Sequence, residues 1–190
     1  MDDIIPRRSD RTRQPPDRYG DWCLSTLLES DEPKSVEEAL SDPKSAHWLS
    51  AMKSEINSIH MNQVWTLVEP KPNQKIINSK WVFKKKVDLN NRVSYKARLV
   101  AQGFSQRAGI DYSDTFSPVV RFEAIRTILS LSAKLNLKVH QMDVSSAFLH
   151  SDLDENILLR QPENFVEKGN ENMVCLLEKS LYGLKQSSKC

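Results

Sequence analysis

The sequence predicts an α+β fold in which short strands and amphipathic helices are mixed along the chain. Apolar and polar residues alternate over residues 75–102, which is typical of a β-hairpin. Apolar residues recur at helical spacing after residue 42 and again after residue 121. The composition, 39% apolar and 27% charged, is sufficient for a buried core, and 190 residues fit one domain of ordinary size, alone or with a tail.

The composition also excludes several classes of protein. No window approaches the roughly 18 consecutive apolar residues of a membrane-spanning helix, so we predict none. The polar N-terminus lacks the apolar stretch of a secretory signal. Cys23, Cys175 and Cys190 lie far apart, which predicts isolated reduced thiols of an intracellular protein and argues against a structural zinc site. With 27 basic and 25 acidic residues, the net charge of +2 indicates no particular partner.

Residues 1–33 are predicted to be a disordered linker. Arginines and prolines are mixed with aspartates there, and little apolar surface offsets the entropy lost on ordering. The arginines could contact nucleic acid, but their nearly balanced charge favours a solvated tail. We therefore expect the folded part of the chain to occupy residues 34–190.

The folded part is predicted to begin with a helix. Asp42 has the side chain of an N-cap, and Pro43 would occupy the first helical position. Apolar residues then follow at helical spacing, which indicates packing against the core. These residues are Leu49, Met52, Ile56 and Ile59.

The hairpin prediction rests on clean alternation around a turn at residues 88–91. Trp81 and Phe83 alternate with polar residues on the first strand. The second strand places Val93, Tyr95, Ala97 and Leu99 on one face, and Arg92, Ser94, Lys96 and Arg98 on the other. Residues 71–100 contain nine basic residues and one acidic residue, so the near-zero net charge conceals a strongly basic hairpin.

The second half of the chain mixes short elements. A loop over residues 103–118 precedes an amphipathic helix that starts at Phe122 and ends near Asn136. Alternation predicts a strand over residues 137–144, then a tight turn or helix over residues 145–149. Further short strands are predicted at residues 157–160 and 173–177, and residues 181–186 resemble a strand-to-helix junction.

Asp143 is the first candidate for chemistry, because it lies near the end of an otherwise apolar predicted strand. A carboxylate there is costly unless it is paired or binds a metal. A rigid strand suits an ion such as Mg²⁺, which prefers oxygen ligands in fixed octahedral positions. A helix N-cap and a paired core acid are the alternatives, and the spacing alone leaves all three open.

The basic hairpin supplies the second candidate. Lys96 and Arg98 are two residues apart, so a strand projects both from one face, where they could hold a polyphosphate. The alternative is an edge strand protected from aggregation by its charges. We predict an exposed face at the lysine run, residues 84–86, which could contact a nucleic-acid backbone without sequence preference. The run consists of Lys84, Lys85 and Lys86.

Longer blocks of sequence are more specific than these spacings. They occur at residues 80–84, 95–104, 109–112 with 115–120, 141–144 with 147–149, 161–163 and 180–186. In order and spacing, these blocks resemble the reverse transcriptase of Ty1/copia-type LTR retrotransposons from about Val36 to Cys190. The Arg- and Pro-containing leader is similar to the linker between integrase and reverse transcriptase in such polyproteins.

The resemblance implies the fingers and first half of the palm of a right-hand polymerase, truncated after Cys190. The family catalyses RNA-directed DNA polymerisation, with two Mg²⁺ ions as cofactors and with an RNA template, a DNA primer and deoxynucleoside triphosphates as partners. We expect no membrane partner, an intracellular, cytoplasmic location (a virus-like particle or the nucleus being alternatives) and no secretion. The oligomeric state is not predicted.

The resemblance also implies roles for single residues. Asp143 matches the first catalytic, metal-binding aspartate, with the Val144 carbonyl as a second metal ligand. Lys96 and Arg98 match the cations that hold the triphosphate, and which of them makes the main contact stays open. The remaining matches are Phe148 as the gate under the sugar, Tyr182 and Gly183 along the nascent base pair, and Lys185, with the lysine run, as a nucleic-acid contact.

The sequence departs from the family in two places. No Asp-Asp pair follows Asp143, although the family takes further metal ligands from such a pair, so we expect this chain not to polymerise alone. Residues 185–189 read KQSSK where the family commonly has KQAPR. The alternative interpretation is a non-enzymatic retrotransposon remnant with at most nonspecific nucleic-acid binding.

Overall fold

The computed structural model describes residues 32–88 and 90–190. The predicted linker, residues 1–33, therefore lies outside the described residues except for its last two. Pro33 is buried. The Glu32 carboxylate accepts a hydrogen bond from the Lys85 N–H at 2.9 Å and binds the Lys84 Nζ at 3.0 Å. Both residues thus belong to the folded unit, which extends from Glu32 to Cys190.

The first helix is α1, Val36–Ser41, which the sequence analysis did not predict. Ser35 caps it, since its Oγ accepts from the Glu38 N–H at 3.1 Å, and the Glu38 carboxylate accepts from the Lys34 N–H at 2.7 Å. These two bonds satisfy backbone donors at and just before the helix start. A helix of six residues is too short to produce a readable apolar period.

The second helix is α2, Ser45–Met61, and it begins later than predicted. Asp42 is not its N-cap, because Asp42 ends α1 through its own N–H and forms the turn between the helices. Its Oδ1 accepts from the Lys44 N–H at 2.6 Å, a local bond that aspartate commonly makes in turns. Pro43 lies in that turn rather than at the first helical position.

The apolar stripe of α2 packs into the core, as predicted, and it does so against the inner face of the basic hairpin. Trp48, Met52 and Ile59 are almost fully buried. The Trp48 ring meets the rings of Phe83 and Tyr95 edge-on, at centroid distances of 5.5 and 4.7 Å. Aromatic pairs in this geometry add to the stability that burial alone provides.

The basic hairpin consists of β3, Ser79–Val87, and β4, Val93–Ala101, and it confirms the prediction. The strands pair antiparallel from Ser79 opposite Ala101 to Val87 opposite Val93. The Asp88 carboxylate accepts from the backbone of Asn90 and Arg92 and closes the turn. Ala97 and Leu99 are buried against α2, whereas Lys96 and Arg98 are exposed.

A second sheet has the strand order β1-β6-β5-β2. Its strands are β1, Trp65–Val68; β2, Ile76–Ile77; β5, Asp152–Leu159; and β6, Val174–Lys179. Only the β2–β5 pairing is parallel. The strands predicted at residues 157–160 and 173–177 are confirmed.

Cys175 on β6 is buried, Cys190 is exposed, and both thiols are free, as predicted for these two residues.

The third helix is α3, Phe122–Lys134, and it also confirms the prediction. Its apolar side chains are exposed, as are those of the segment that follows. None of the described helices is long and apolar enough to cross a membrane. The large apolar side chains that are exposed in this region are Phe122, Ile125, Ile128, Leu129, Leu131, Leu135, Leu137, Val139, Met142 and Val144.

The strand predicted over residues 137–144 is wrong, because this segment is irregular. A strand exists only when a neighbouring strand accepts and donates its backbone hydrogen bonds. Among the described residues, no strand pairs with this segment. The next prediction is correct: residues 147–150 form a short 3₁₀ turn after Ser146, whose φ is 57°.

Candidate functional site

A cavity of about 580 Å³ lies between α2, β4, residues 143–147 and Tyr182. It brings together residues that are far apart in the sequence. Five of the predicted site residues line it, namely Lys96, Arg98, Asp143, Val144 and Tyr182. The cavity therefore collects both the predicted cations and the predicted carboxylate on one concave surface.

The outer edge of β4 forms one wall of the cavity. In an antiparallel pair, alternate residues direct their N–H groups away from the partner strand. On β4 these include Leu99, whose N–H donates to Glu55 Oε1 at 3.4 Å, and Ala101, whose N–H donates to the Tyr182 carbonyl at 2.7 Å. Glu55 and Tyr182 are therefore fixed side by side along the strand edge.

Three predicted site residues form a continuous stack at this edge. The Arg98 guanidinium carbon lies 4.9 Å from the centroid of the Tyr182 ring. The Phe148 ring meets Tyr182 edge-on, with centroids 4.8 Å apart. A cation over an aromatic face and an edge-on ring pair are both favourable. Phe148 thus reaches the site through Tyr182, and the three side chains position one another.

Gly183 allows the turn that carries Tyr182 to pack closely against the end of β4. Its φ is +90°, and a Cβ there would collide with the carbonyl oxygen of Ala101. A Cβ on Gly103 would likewise collide with the Gly183 carbonyl. Only glycine satisfies both the positive φ and the close approach of two backbones. Gly183 does not itself line the cavity, and its role in the structure is to bring the turn close to the strand.

A family model described as reverse transcriptase (RNA-dependent DNA polymerase) matches residues 62–190. The chain belongs to the reverse transcriptase family. The resemblance carried by the sequence blocks is therefore confirmed.

Several relatives of this reverse transcriptase chain are retrotransposon polyproteins. It is 47% identical over 184 residues to the retrovirus-related Pol polyprotein from transposon TNT 1-94 of Nicotiana tabacum, covering 96% of the chain and 14% of that protein. It is 38% identical over 188 residues to the one from transposon RE2 of Arabidopsis thaliana, covering 98% and 13%. It is 31% identical over 177 residues to the transposon Ty1-H Gag-Pol polyprotein of Saccharomyces cerevisiae, covering 86% and 9%.

The chain spans 14% or less of the length of each of these three polyproteins. No solved structure gives a significant match.

Glu55 is a site residue of the reverse transcriptase chain that sequence reasoning missed. It lines the cavity from α2 and is half-buried. Burial raises the pKa of its carboxyl group, although the Leu99 N–H and the nearby Arg98 act in the opposite direction. One sequence signal could have found it, since Glu55 lies three and four residues from the buried Met52 and Ile59, within the apolar stripe of α2.

Two buried amides hold the turn that carries Tyr182, and these too were missed. Gln106 Nε2 donates to Gln186 Oε1 at 3.1 Å, and the Lys185 N–H donates to Gln106 Oε1 at 2.8 Å. Gln186 Nε2 donates to the Asp111 carbonyl and to a Glu155 carboxylate oxygen, both at 3.2 Å. The pair Gln106 and Gln186 is 80 positions apart, so no local pattern reveals it.

Asp143 and Val144 line the cavity and are exposed. Carboxylate and carbonyl oxygens are ligands that Mg²⁺ accepts, and this ion is often bound through one or two carboxylates together with substrate phosphates. Asp143 therefore offers one carboxylate ligand of the type that such an ion binds. Among residues 32–88 and 90–190, no group of three or more His, Cys, Asp and Glu residues is placed to hold a metal.

The structure does not bring the remaining predicted residues to the cavity. Lys84, Lys85 and Lys86 lie on β3, and Lys84 is paired with Glu32. Lys185 lies in the final turn with an exposed side chain. None of these four lysines lines the cavity, so any contact that they make with nucleic acid would be separate from it.

Proposed function

We propose that this chain provides the nucleotide-binding fingers and the first part of the palm of an RNA-directed DNA polymerase. The observation that carries the proposal is the convergence of Lys96, Arg98, Tyr182 and Asp143 on one cavity. Two cations opposite a carboxylate suit a magnesium–triphosphate ligand, because the cations bind phosphate oxygens and the carboxylate binds the ion.

Arg98 is the main triphosphate contact in this proposal. Its guanidinium group is delocalised, permanently charged and able to bind phosphate through two parallel hydrogen bonds. The Tyr182 ring supports one face of it, which leaves its edges available for phosphate oxygens. Lys96 projects from the same face of β4 and adds a second charge that can follow a flexible chain of phosphates.

Phe148 and Tyr182 would contact the sugar and base of the nucleotide. Their edge-on packing holds Phe148 against the Tyr182 ring, which also lies under the Arg98 guanidinium group. A ring in that position would clash with a 2′-hydroxyl group, so we assign to Phe148 the selection of deoxynucleotides. Gly183 supports the proposed role of Tyr182, because it lets the turn lie against β4 without a side chain between them.

Asp143 and Val144 would hold magnesium in the complete enzyme. When bound, the ions would lower the pKa of the primer hydroxyl group and neutralise the leaving pyrophosphate. The chain's own residues orient the triphosphate and hold it beside the Asp143 carboxylate. The RNA template and DNA primer are proposed partners, as the family description and the polyprotein relatives suggest.

Nucleotide binding by the 190-residue chain tests this proposal. We expect Arg98→Met to weaken the binding of magnesium–dATP by about tenfold or more, because charged hydrogen bonds to phosphate are lost. Arg92→Met is the matched control, since Arg92 lies near the hairpin turn, carries the same charge and does not line the cavity. Calorimetric titration measures both constants, and equal affinities for wild type and Arg98→Met would contradict the proposal.

A further inference from the structure

Both outer edges of the basic hairpin hold a glutamate carboxylate. On β3, Glu32 accepts from the Lys85 N–H and binds the Lys84 ammonium group. On β4, Glu55 accepts from the Leu99 N–H and lies within electrostatic range of Arg98. In each case a carboxylate accepts from an edge N–H and lies near the cation of the preceding residue, although only Glu32 forms an ion pair with that cation. The hairpin edge is therefore built to accept anionic oxygen atoms.

The β4 edge differs from the β3 edge because it opens into the cavity. Ala97 lines the cavity, and by strand alternation its N–H is directed to the same edge as those of Leu99 and Ala101. Glu55 therefore lies among the groups that an incoming polyanion would use. A carboxylate and a triphosphate would compete here, because one guanidinium group and one strand edge have too few hydrogen-bond donors for both anions.

We propose that Glu55 is a built-in competing anion, which engages Arg98 and the β4 edge and thereby lowers the affinity of the cavity for a triphosphate. This inference rests on the proposed function, because it assumes that the ligand is a polyphosphate. In this inference, an acidic residue of α2 controls the affinity of the cavity for a nucleotide. Glu55 would weaken triphosphate binding in two ways, because it repels the phosphates and competes with them for Arg98.

The surroundings of Glu55 support this role over a purely structural one. Its hydrogen bond to Leu99 is long, at 3.4 Å, and it forms no ion pair within 4.0 Å among the described residues. Burial raises the pKa of its carboxyl group despite the nearby cation. A charge that is poorly compensated contributes little to folding, and glutamine preserves the acceptor oxygen and the volume.

The test compares anion binding by the full chain and two charge-matched variants. The probe is inorganic triphosphate, with magnesium–dATP as a second ligand. We expect Glu55→Gln to bind triphosphate about threefold to tenfold more tightly than wild type. Glu69→Gln, which removes the same charge at an exposed position outside the cavity, is expected to bind as wild type does.

Repeating the Glu55→Gln change in an Arg98→Met protein shows whether the increase in triphosphate affinity depends on Arg98. In Arg98→Met, the further change Glu55→Gln is expected to give a clearly smaller gain, because the contested cation is absent. Glu55→Met, which removes the charge with a good helix former, should reproduce the gain and serves if the glutamine variant fails to fold. Melting temperatures verify that each variant is folded.

The outcomes separate the two proposals. Equal or weaker triphosphate binding by the charge-removing variants, or absence of binding by every protein, would overturn the inference. Tighter triphosphate binding by Glu55→Gln together with no binding of magnesium–dATP would support Glu55 as a competing anion and would reject the proposed nucleotide site.

Discussion

Arg98 shows how much a single residue depends on partners from distant parts of the chain. Strand alternation alone places it beside Lys96 on the exposed face of β4. Its surroundings come from elsewhere, with Tyr182 under the guanidinium group and Glu55 on the strand edge. The sequence predicted the residue and its face, whereas these contacts depend on tertiary packing that no local period encodes.

Gly183 allows a sharp test at the same scale. We expect Gly183→Ala to lower the free energy of unfolding by about 3 kcal/mol, since a Cβ at a φ of +90° adds strain and also collides with the Ala101 carbonyl. Urea denaturation followed by tryptophan fluorescence measures the change.

Gly169 provides the control for this substitution. Its φ is +88°, but a Cβ there would have no atom within 4 Å. Gly169→Ala therefore carries only the backbone penalty, about 1 kcal/mol. Similar losses in the two variants would contradict the inferred collision at Gly183.

At the scale of elements, the hairpin and α2 were predictable because each carries its own period. Alternation over two strands and a turn with Asp88 are local signals, and both were confirmed. By contrast, α1 has six residues and is recognisable mainly through its capping pair, Ser35 and Glu38. The segment 137–144 has the alternation of a strand, but pattern alone cannot supply a neighbouring strand.

The exposed helix α3 leads to a prediction about local stability. Its apolar face buries little surface, so local opening there should cost less free energy than opening of the hairpin. We expect amide hydrogens in residues 122–144 to exchange at least about tenfold faster than those of β4. Exchange followed by mass spectrometry on the intact chain measures both regions in one sample, and equal protection would refute the expectation.

Over the whole molecule, charge is segregated although the sum is close to zero. Residues 71–100 carry nine basic residues and one acidic residue, whereas residues 143–171 carry seven acidic and two basic residues. A net charge of +2 therefore hides a basic hairpin and an acidic stretch over residues 143–171. A polyanion is therefore attracted to the basic hairpin more strongly than to the acidic stretch.

Nucleic-acid binding tests this segregation. We expect weak, salt-sensitive binding to an RNA–DNA duplex, reduced about tenfold in a variant with Lys84, Lys85, Lys96 and Arg98 changed to alanine. A variant with Lys53, Lys134, Lys138 and Lys168 changed to alanine has the same net charge and serves as the control. If both variants lose affinity equally at low salt, the hairpin is not the binding surface.

The buried pair Gln106 and Gln186 has a consequence for the order in which the molecule assembles. The two amides are 80 residues apart, and the turn they secure also supplies Tyr182 to the edge of β4. During synthesis, α2 and the hairpin emerge before the distant turn, and the cavity lacks its Tyr182 wall until that turn arrives. A ribosome that pauses between the two segments would therefore present the basic hairpin without the completed cavity.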